Sequence, residues 1–311
     1  MRIFIIGAGA IGGYVGALLA RGGHEVVFGA RPSSAQHLRA QGIHLTGPRG
    51  EFHLDGVQAI ASPEEAGAPF DVALSCVKLY DAESSARQWS PLLASADAVV
   101  SLQNGIDGAR LIAEGAGLQR VYGGLAYVAA QVEAPGQVRY QSDMSSITFG
   151  GPGATRQRSL VALHEQLGRG DVQMPLHSKL VEDVASAQWQ KHAALATNAA
   201  LTCLTRQPAG VVYTQPELLV LAEQSIAEVI AVGRAAGASF PDDHAQRTLG
   251  LLKGLPASMY ASMHHDLAAG KPLELEGLIG TLVRRGLQHG IPTPFHAFAY
   301  ACLKPYERGI R

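Results

Sequence analysis

A glycine-rich turn near the amino terminus constrains the fold of this chain more than any other feature. Arg2 to Ile6 is a short run rich in Ile and Phe, which is typical of a strand buried on both faces. The run ends in the turn Gly7-Ala8-Gly9-Ala10-Ile11-Gly12, which has the spacing GxGxxG. Ile11 to Arg21 has helical spacing, and His24 to Phe28 predicts a second strand. These segments together predict a βαβ unit.

The spacing of the three glycines indicates a dinucleotide site. Gly7 permits a tight turn, Gly9 lets the backbone approach a pyrophosphate, and Gly12 lets the helix pack on the strand. The helix would then direct its first amides at the phosphates. A purely structural glycine turn is the alternative, because such turns are common. The strand before the motif and the helix after it favour the dinucleotide.

The uncharged run Ile3 to Ala20 could also be taken for a membrane span. Its five glycines interrupt an apolar surface, and no signal-type cleavage site follows it. Strand, turn and helix explain the same residues better.

The end of the second strand distinguishes NADP from NAD. NAD enzymes usually carry Asp or Glu there, to bind the ribose hydroxyl. This chain has Phe28-Gly29-Ala30-Arg31, without a carboxylate. The guanidinium of Arg31 can pair with a 2′-phosphate, so we expect NADPH/NADP as cofactor. The alternative is that Arg31 is an ordinary solvated residue.

Strands and helices continue to alternate after the βαβ unit, which predicts a parallel, doubly wound sheet. From Gln131 to Gly150 the pattern changes, and we expect a β-meander that closes the domain. The predicted strands are Asp71 to Val77, Ala98 to Leu102, a weaker one at Arg120 to Gly124, and, in the meander, Val138 to Tyr140 and Ser146 to Phe149; the predicted helices lie around Ser84 to Leu93 and Gly108 to Glu114.

The chain becomes helical after about residue 180. The predicted helices are Val181 to Thr205, Gln215 to Ala236 with Gly237 as its cap, Asp242 to Leu252, and Leu273 to His289. The fold class is therefore α/β, with an N-terminal Rossmann-type doubly wound domain that binds NADP, residues 1–180. An all-α C-terminal domain for substrate binding and dimerisation follows, residues 181–311.

Composition excludes several other classes of protein. The formal net charge is −1 and the sequence pI about 6.9, without a basic run, so we expect neither nucleic acid nor a membrane as partner. Cys76, Cys203 and Cys302 are an odd, sparse set, which indicates a reducing, cytoplasmic environment rather than a disulfide framework. CxxC and HExxH do not occur, and His264-His265 is the only adjacent histidine pair, so we expect no metal.

The remaining motifs, in this order and spacing, resemble the ketopantoate reductase (2-dehydropantoate 2-reductase) family over essentially the whole chain. They are the glycine motif with Arg31, Ser75-Cys76-Val77-Lys78, Gln103-Asn104-Gly105, Trp189-Gln190-Lys191, Ser262-Met263-His264-His265-Asp266, Glu274, and His289-Gly290-Ile291-Pro292-Thr293-Pro294.

The resemblance implies roles for individual residues. Lys191 would be the general acid that protonates a ketone oxygen while NADPH delivers hydride, and Glu274 would engage the substrate hydroxyl or that lysine. Asn104 would lie between cofactor and substrate, Ser262 would bind the substrate carboxylate, and Lys78 would lie near the cofactor. Taken singly, Lys191 is more typical of a solvated lysine, Glu274 of a helix-surface carboxylate, and Asn104 of an Asn-Gly turn.

The chain departs from the family where further asparagines are expected. Leu195, Ala199, Ala209 and Ile279 stand at these positions. Asn198 and Thr202 return to the helical face of Lys191, so we expect them to line the site beside it and partly to replace the missing amides. The alternative is that both face a neighbouring helix, with Asn198 bonded to backbone.

The resemblance implies NADPH-dependent reduction of a 2-oxo acid to a 2-hydroxy acid, with 2-dehydropantoate (ketopantoate) in pantothenate biosynthesis as the named candidate. The partner would be that small acid, with a homodimer possible. One alternative is a related dehydrogenase acting on another oxo or hydroxy acid, or on an opine-type substrate. Another is a non-catalytic NADP-binding sensor, which would need neither Lys191 nor Glu274.

Overall fold

The structure, a computed structural model, describes residues 1–67, 69–167 and 174–309. The chain divides into two compact units, Met1–Val184 and Ala185–Arg311. The first contains the sheets and the second is helical, which confirms the predicted fold class.

The first unit alternates strands with helices. Its strands are β1 (Arg2–Ile6), β2 (Glu25–Gly29), β3 (Ile43–Gly47), β4 (Gly50–Leu54), β5 (Gln58–Ile60), β6 (Val72–Ser75), β7 (Ala98–Ser101), β8 (Gly123–Ala134), β9 (Gln137–Gly150) and β10 (His177–Val181). Its helices are α1 (Ala10–Arg21), α2 (Pro32–Gln41), α3 (Ala82–Gln88), α4 (Ser90–Ser95), α5 (Gly108–Ala116) and α6 (Arg158–Leu167).

The parallel sheet has the strand order β5-β2-β1-β6-β7, with β1 at its centre. Ile3 of β1 pairs with Val26 of β2 on one side and with Val72 of β6 on the other. Ile3 and Ile5 are fully buried among apolar residues of both neighbours and of α1. The apolar composition of β1 is therefore explained by burial on both faces.

A second sheet, in the order β10-β9-β3-β4 with β8 paired to β9, corrects the predicted meander. The segments at 138–140 and 146–149 belong to the single strand β9, which pairs antiparallel with β8 through register shifts near Ala130 and Ala134. These irregularities let the alternation of polar and apolar residues change along one continuous strand, without a turn. The weak strand predicted at 120–124 is displaced, because β8 begins at Gly123 and Tyr122 forms only an isolated bridge with Val100.

The rest of the chain is a helical bundle. Its helices are α7 (Val184–Thr205), α8 (Ala209–Val212), α9 (Pro216–Ala235), α10 (His244–Lys253), α11 (Ser262–Ala268), α12 (Thr281–His289) and α13 (Pro294–Leu303). The helix predicted from Leu273 begins later, and its first part, Glu276–Gly280, is a π-helical turn.

A buried carboxylate connects two helices of this bundle. Glu228 of α9 accepts hydrogen bonds from the backbone amides of Phe295 and His296, at 2.8 and 3.1 Å. Nδ1 of His296 lies 2.6 Å from the same carboxylate, so the first turn of α13 is capped by a side chain of α9. Within the described parts of the chain, no helix is long and apolar enough to cross a membrane.

Candidate active site

The loops that follow β1, β2, β6 and β7 carry the residues that were expected at the cofactor. Because these strands are parallel neighbours, their carboxyl ends meet at one edge of the sheet. Gly7 follows β1, Arg31 lies two residues after β2, and Lys78 lies three residues after β6. Asn104 follows β7 in the same way. The fold thus brings these four positions to one edge.

Two glycines of the turn are required by close contacts. Gly7 has φ +92°, a conformation unfavourable to other residues, and a Cβ there would lie 2.8 Å from Cγ1 of Val77. A Cβ on Gly12 would overlap the carbonyl oxygen of Gly7. The strand and helix are therefore packed too closely for any side chain at these points.

The same turn leaves space where a dinucleotide would need it. A Cβ on Gly9 would meet nothing within 4 Å, so the backbone is open there. Gly9 is the N-cap of α1, and the first turn of α1, which includes Ala10 and Ile11, carries no acidic residue. Uncapped amides, a helix dipole and an open approach fit a pyrophosphate. Ala8 and Arg31 complete the edge, Arg31 being exposed at the N-cap of α2.

Gln103 is a residue that the sequence pattern did not single out by itself. It is buried, its amide nitrogen donates to Ser75 Oγ at 2.8 Å, and its amide oxygen accepts from Ser101 Oγ. The side chain thus joins the ends of β6 and β7. It fixes the start of the loop that carries Asn104 and Gly105, the latter at φ +94°. The sequence signal that could have identified Gln103 is a polar residue placed directly after a buried strand.

Cys76 lies against the glycine turn, with its Cβ 3.0 Å from the position of a Cβ on Gly12. Burial raises the pKa of its thiol to about 12. At neutral pH the thiol is therefore protonated, and it contributes packing rather than charge to this edge of the sheet.

In the helical unit, Lys191 is held in a poorly hydrated position. It lies two turns into α7, half-buried, between Gln190 and the buried His192. Desolvation lowers the pKa of its ammonium group to about 8, although the negative charge of Glu274 acts in the opposite direction. A lysine with this pKa can both hold and release a proton near neutral pH.

Glu274 is the charge partner of Lys191. It is only 5% exposed and lies just before the π-helical turn. Its carboxylate stabilises the protonated form of the lysine. The two groups together offer a proton donor and a hydrogen-bond acceptor, which suits the reduction of a carbonyl group.

The structure corrects one part of the expectation for α7. Thr202 is 0% exposed and its hydroxyl donates to the backbone oxygen of Asn198 at 2.6 Å, so it lies inside the bundle and does not line a site. The face predicted by helical spacing is covered here by neighbouring helices. Asn198 is half-buried, and its Oδ1 accepts a hydrogen bond of 3.1 Å from Tyr213, a side chain rather than backbone. Its role towards substrate stays a prediction.

The positions without the expected asparagines are mostly core positions. Ala199, Ala209 and Ile279 belong to the apolar cluster of the helical unit, whereas Leu195 is half-buried one turn after Lys191. Ser262 lies exposed at the start of α11. Among these five residues, Leu195 is the one whose side chain is both accessible and close in sequence to the lysine.

The described residues contain no cluster of three or more His, Cys, Asp or Glu that could hold a metal ion. We call the sheet edge that carries Gly7, Gly9 and Gly12 the glycine edge of the first unit, and Lys191 with Glu274 the Lys191–Glu274 pair of the second.

A parallel sheet with a glycine turn, followed by a helical unit with a partly desolvated lysine, defines the class of two-domain dinucleotide-dependent oxidoreductases. The family model described as ketopantoate reductase PanE/ApbA matches residues 3–153, and its C-terminal counterpart matches residues 183–307. The chain belongs to the ketopantoate reductase family.

Individual relatives agree with this assignment. The 2-dehydropantoate 2-reductase of Mesorhizobium japonicum is 29% identical over 315 aligned positions, gaps included, and the alignment covers 94% of each chain. A PanE/ApbA family ketopantoate reductase from Ralstonia eutropha JMP134 has a TM-score of 0.86 at 31% identity, covering 99% of this chain and 98% of the other. D-mandelate dehydrogenase, solved with NADH and anilino(oxo)acetate, also has a TM-score of 0.86, with coverage of 99% and 98%. At 19% identity, that likeness shows a shared fold.

Proposed function

We propose that this oxidoreductase uses NADPH to reduce a 2-oxo acid to the 2-hydroxy acid, with ketopantoate as the first candidate substrate. The observation that carries the proposal is the Lys191–Glu274 pair, in which a desolvated ammonium group has a pKa of about 8. A group with this pKa is matched to proton transfer near neutral pH. Family membership supports the reaction class, because curated relatives are 2-dehydropantoate 2-reductases.

The nicotinamide, when bound, supplies the hydride for the carbonyl carbon. Negative charge then develops on the carbonyl oxygen, and the ammonium group of Lys191 stabilises that charge and transfers its proton to the oxygen. Glu274 keeps the lysine charged before the transfer and accepts a hydrogen bond from the hydroxyl of the product. We assign the substrate carboxylate to Ser262, and further polar contacts to Asn104 and Asn198.

The glycine edge favours a dinucleotide as the cofactor, and Arg31 favours NADP, which carries the additional 2′-phosphate, over NAD. The amides that follow Gly9 would hold the pyrophosphate, and Lys78 adds positive charge at the same edge. The exposed guanidinium of Arg31 stands where a carboxylate would be needed for NAD. The fold alone does not select the cofactor, because D-mandelate dehydrogenase, with the same fold, was solved with NADH.

Leu195 supports a second candidate, a 2-oxo acid with a more apolar tail than ketopantoate. Its half-buried side chain is four residues after Lys191, where an amide was expected. A pocket that lacks hydrogen-bond partners for a substrate hydroxyl gains little from that hydroxyl. An opine-type substrate remains a further alternative.

Steady-state NADPH oxidation with a panel of 2-oxo acids tests the proposal. The panel contains ketopantoate, a branched apolar 2-oxo acid and an aromatic one, each also assayed with NADH. We expect turnover of at least one acid, with kcat/KM higher for NADPH than for NADH. NADPH binding without reduction of any of the acids would contradict the proposed reaction, and the alternatives would then be an enzyme for another substrate or a sensor.

A further inference from the structure

The described part of the helical unit contains a π-helical turn that begins two residues after Glu274. In Glu276–Gly280 the amide of Thr281 bonds to the carbonyl of Glu276, five residues back. Such a turn inserts one residue into a helix, and one residue corresponds to about 100° of helical rotation. Glu274 lies just before this turn, and its backbone carbonyl accepts a hydrogen bond of 3.0 Å from the amide of Leu278 within it. The direction of the Glu274 side chain is therefore set by this insertion. A regular helix continuing α12 backwards would direct that carboxylate elsewhere.

Three side chains hold the turn through the carboxylate of Glu276. Tyr300 donates to Oε1 at 2.5 Å and Lys304 to the same atom at 2.6 Å. Arg284 pairs with Oε2, and its second nitrogen donates to the Glu276 carbonyl oxygen at 3.1 Å. The carboxylate thus connects the π-helical turn to α12, to α13 and to the residue that follows α13. We call Glu276, Tyr300, Lys304 and Arg284 the clamp.

Gly280, the last residue of the turn, has no side chain and so leaves room for the clamp. A Cβ on Gly280 would lie 2.7 Å from Oε2 of Glu276, 2.9 Å from Cε2 of Tyr300 and 3.0 Å from Nη1 of Arg284. The absence of a side chain at Gly280 therefore lets the three groups close over the turn. This contact is independent of the hydrogen bonds and indicates the same arrangement.

We propose that Glu276 is a positioning residue, which holds the π-helical turn through the clamp and thereby keeps the carboxylate of Glu274 directed at Lys191. The inference rests on the proposed function of the Lys191–Glu274 pair. Glu276 itself acts through Glu274 and needs no contact with substrate.

The charges of the clamp agree with this role. Desolvation opposes ionisation of Glu276, but hydrogen bonds from Lys304, Tyr300 and Arg284 outweigh it and lower the pKa of the carboxyl to about 2. Hydrogen bonds to Glu276, Glu307 and Tyr300 raise the pKa of Lys304. Glu276 and Lys304 therefore stay charged throughout the pH range of an assay, and changes in the pH profile report on Lys191. Because the side chains of Glu276 and Lys304 are 39% and 44% exposed, their pairing contributes little to overall stability.

The test compares Glu274→Gln and Glu276→Gln by two measurements. One is the alkaline limb of kcat with NADPH and the best 2-oxo acid. The other is the pKa of Lys191 in the free protein, from NMR of lysine labelled at Cε and assigned with Lys191→Arg. Glu274→Gln removes the attraction and should lower both pKa values. Glu276→Gln should lower both by about half a unit and reduce kcat about tenfold, with KM little changed.

A matched control and two further variants complete the design. Glu307→Gln removes the other carboxylate of Lys304, 2.8 Å away, without altering a contact of the π-helical turn, and should leave both pKa values unchanged. Tyr300→Phe and Gly280→Ala disturb the clamp from other sides. Both variants should lower the pKa of Lys191, and they test the inference even where Glu276→Gln fails to fold.

Two outcomes would contradict the inference in different ways. If Glu274→Gln lowers the pKa of Lys191 but the clamp variants do not, Glu276 has only a structural role and the proposed function stands. If Glu274→Gln shifts neither measurement, the proposed pair is wrong, and the inference fails with it.

Discussion

The glycine edge of the first unit and the Lys191–Glu274 pair of the second are built in opposite ways. The glycine edge is made of backbone, and its important property is the absence of side chains at Gly7, Gly9 and Gly12. The pair is made of the buried carboxylate of Glu274 and the half-buried, partly desolvated ammonium group of Lys191. The comparison teaches that added atoms should damage the first region, whereas removed charge should damage the second.

The largest effect is expected at the pair. Lys191→Ala removes the proton donor and should lower kcat by about 10²–10⁴, with NADPH affinity retained because the dinucleotide motif lies in the first unit. In the unmodified protein, kcat should fall as pH rises through about 8, because only the ammonium form can donate. Steady-state kinetics over pH 6 to about 10, with fluorescence titration of NADPH, measure both.

The exposed Lys179 offers the control for this prediction. Lys179→Ala should leave both rate and pH profile unchanged. If Lys191→Ala kept wild-type turnover, this lysine would not be the proton donor, and the comparison between the two regions would be wrong.

The next largest effect is expected at the glycine edge. Gly12→Ala places a Cβ against the carbonyl oxygen of Gly7, and should destabilise the protein by about 2–3 kcal/mol or more while weakening NADPH binding. Gly9→Ala, which meets nothing in the protein within 4 Å, should leave stability nearly unchanged and weaken only the cofactor. Thermal unfolding with and without NADPH separates the two variants. Equal loss of stability in both would show that packing alone does not distinguish these glycines.

A smaller effect is expected at Arg31. This residue was assigned to the glycine edge because NAD enzymes usually carry Asp or Glu near this position. Arg31→Ala should weaken NADPH binding about tenfold to a hundredfold, the range for losing a charge-assisted contact to phosphate, and leave NADH nearly unaffected. Isothermal titration with both cofactors measures this. Arg39→Ala, at the other end of α2, is the control. If the unmodified protein binds both cofactors equally, the assignment of NADP is wrong.

The smallest effect is expected at Leu195. Leu195→Asn should raise kcat/KM for ketopantoate relative to an apolar 2-oxo acid by about threefold to tenfold, because an amide is added where the substrate hydroxyl needs a partner. Leu204→Asn, also half-buried in α7, serves as the control. A ratio that rises equally in both variants would show that polarity in α7, rather than position 195, causes the change.

The two regions also differ in how far sequence predicts them. The strand, glycine turn and helix at the amino terminus were predicted from local pattern, because each glycine has a steric reason that sequence spacing conveys. Lys191 and Glu274 are far apart in sequence, and nothing local shows that the lysine becomes desolvated. The family resemblance was needed to bring them together. Thr202 shows the limit of helical spacing, which gives a face but not what covers it.

The errors in the fold have similar causes. β9 was divided in two because its polar and apolar alternation changes at the irregular pairing with β8. The strands β3 and β4 are not among those that the sequence pattern predicts, because the sheet that contains them is completed by β9, about 90 residues further along the chain. The sequence pattern predicts a regular helix where the structure has the π-helical turn, since one inserted residue hardly alters an apolar pattern over so short a span.

The protected thiol of Cys76 has a consequence for chemical labelling. With a pKa raised to about 12 by burial, this cysteine has almost no thiolate at neutral pH, and the same holds for the buried Cys203. Cys302, exposed on α13, is the natural target of a maleimide or iodoacetamide dye. A single fluorophore can therefore be attached to the native sequence far from the glycine turn in the chain, and mild oxidants should modify that surface position before they reach the packing around Gly12.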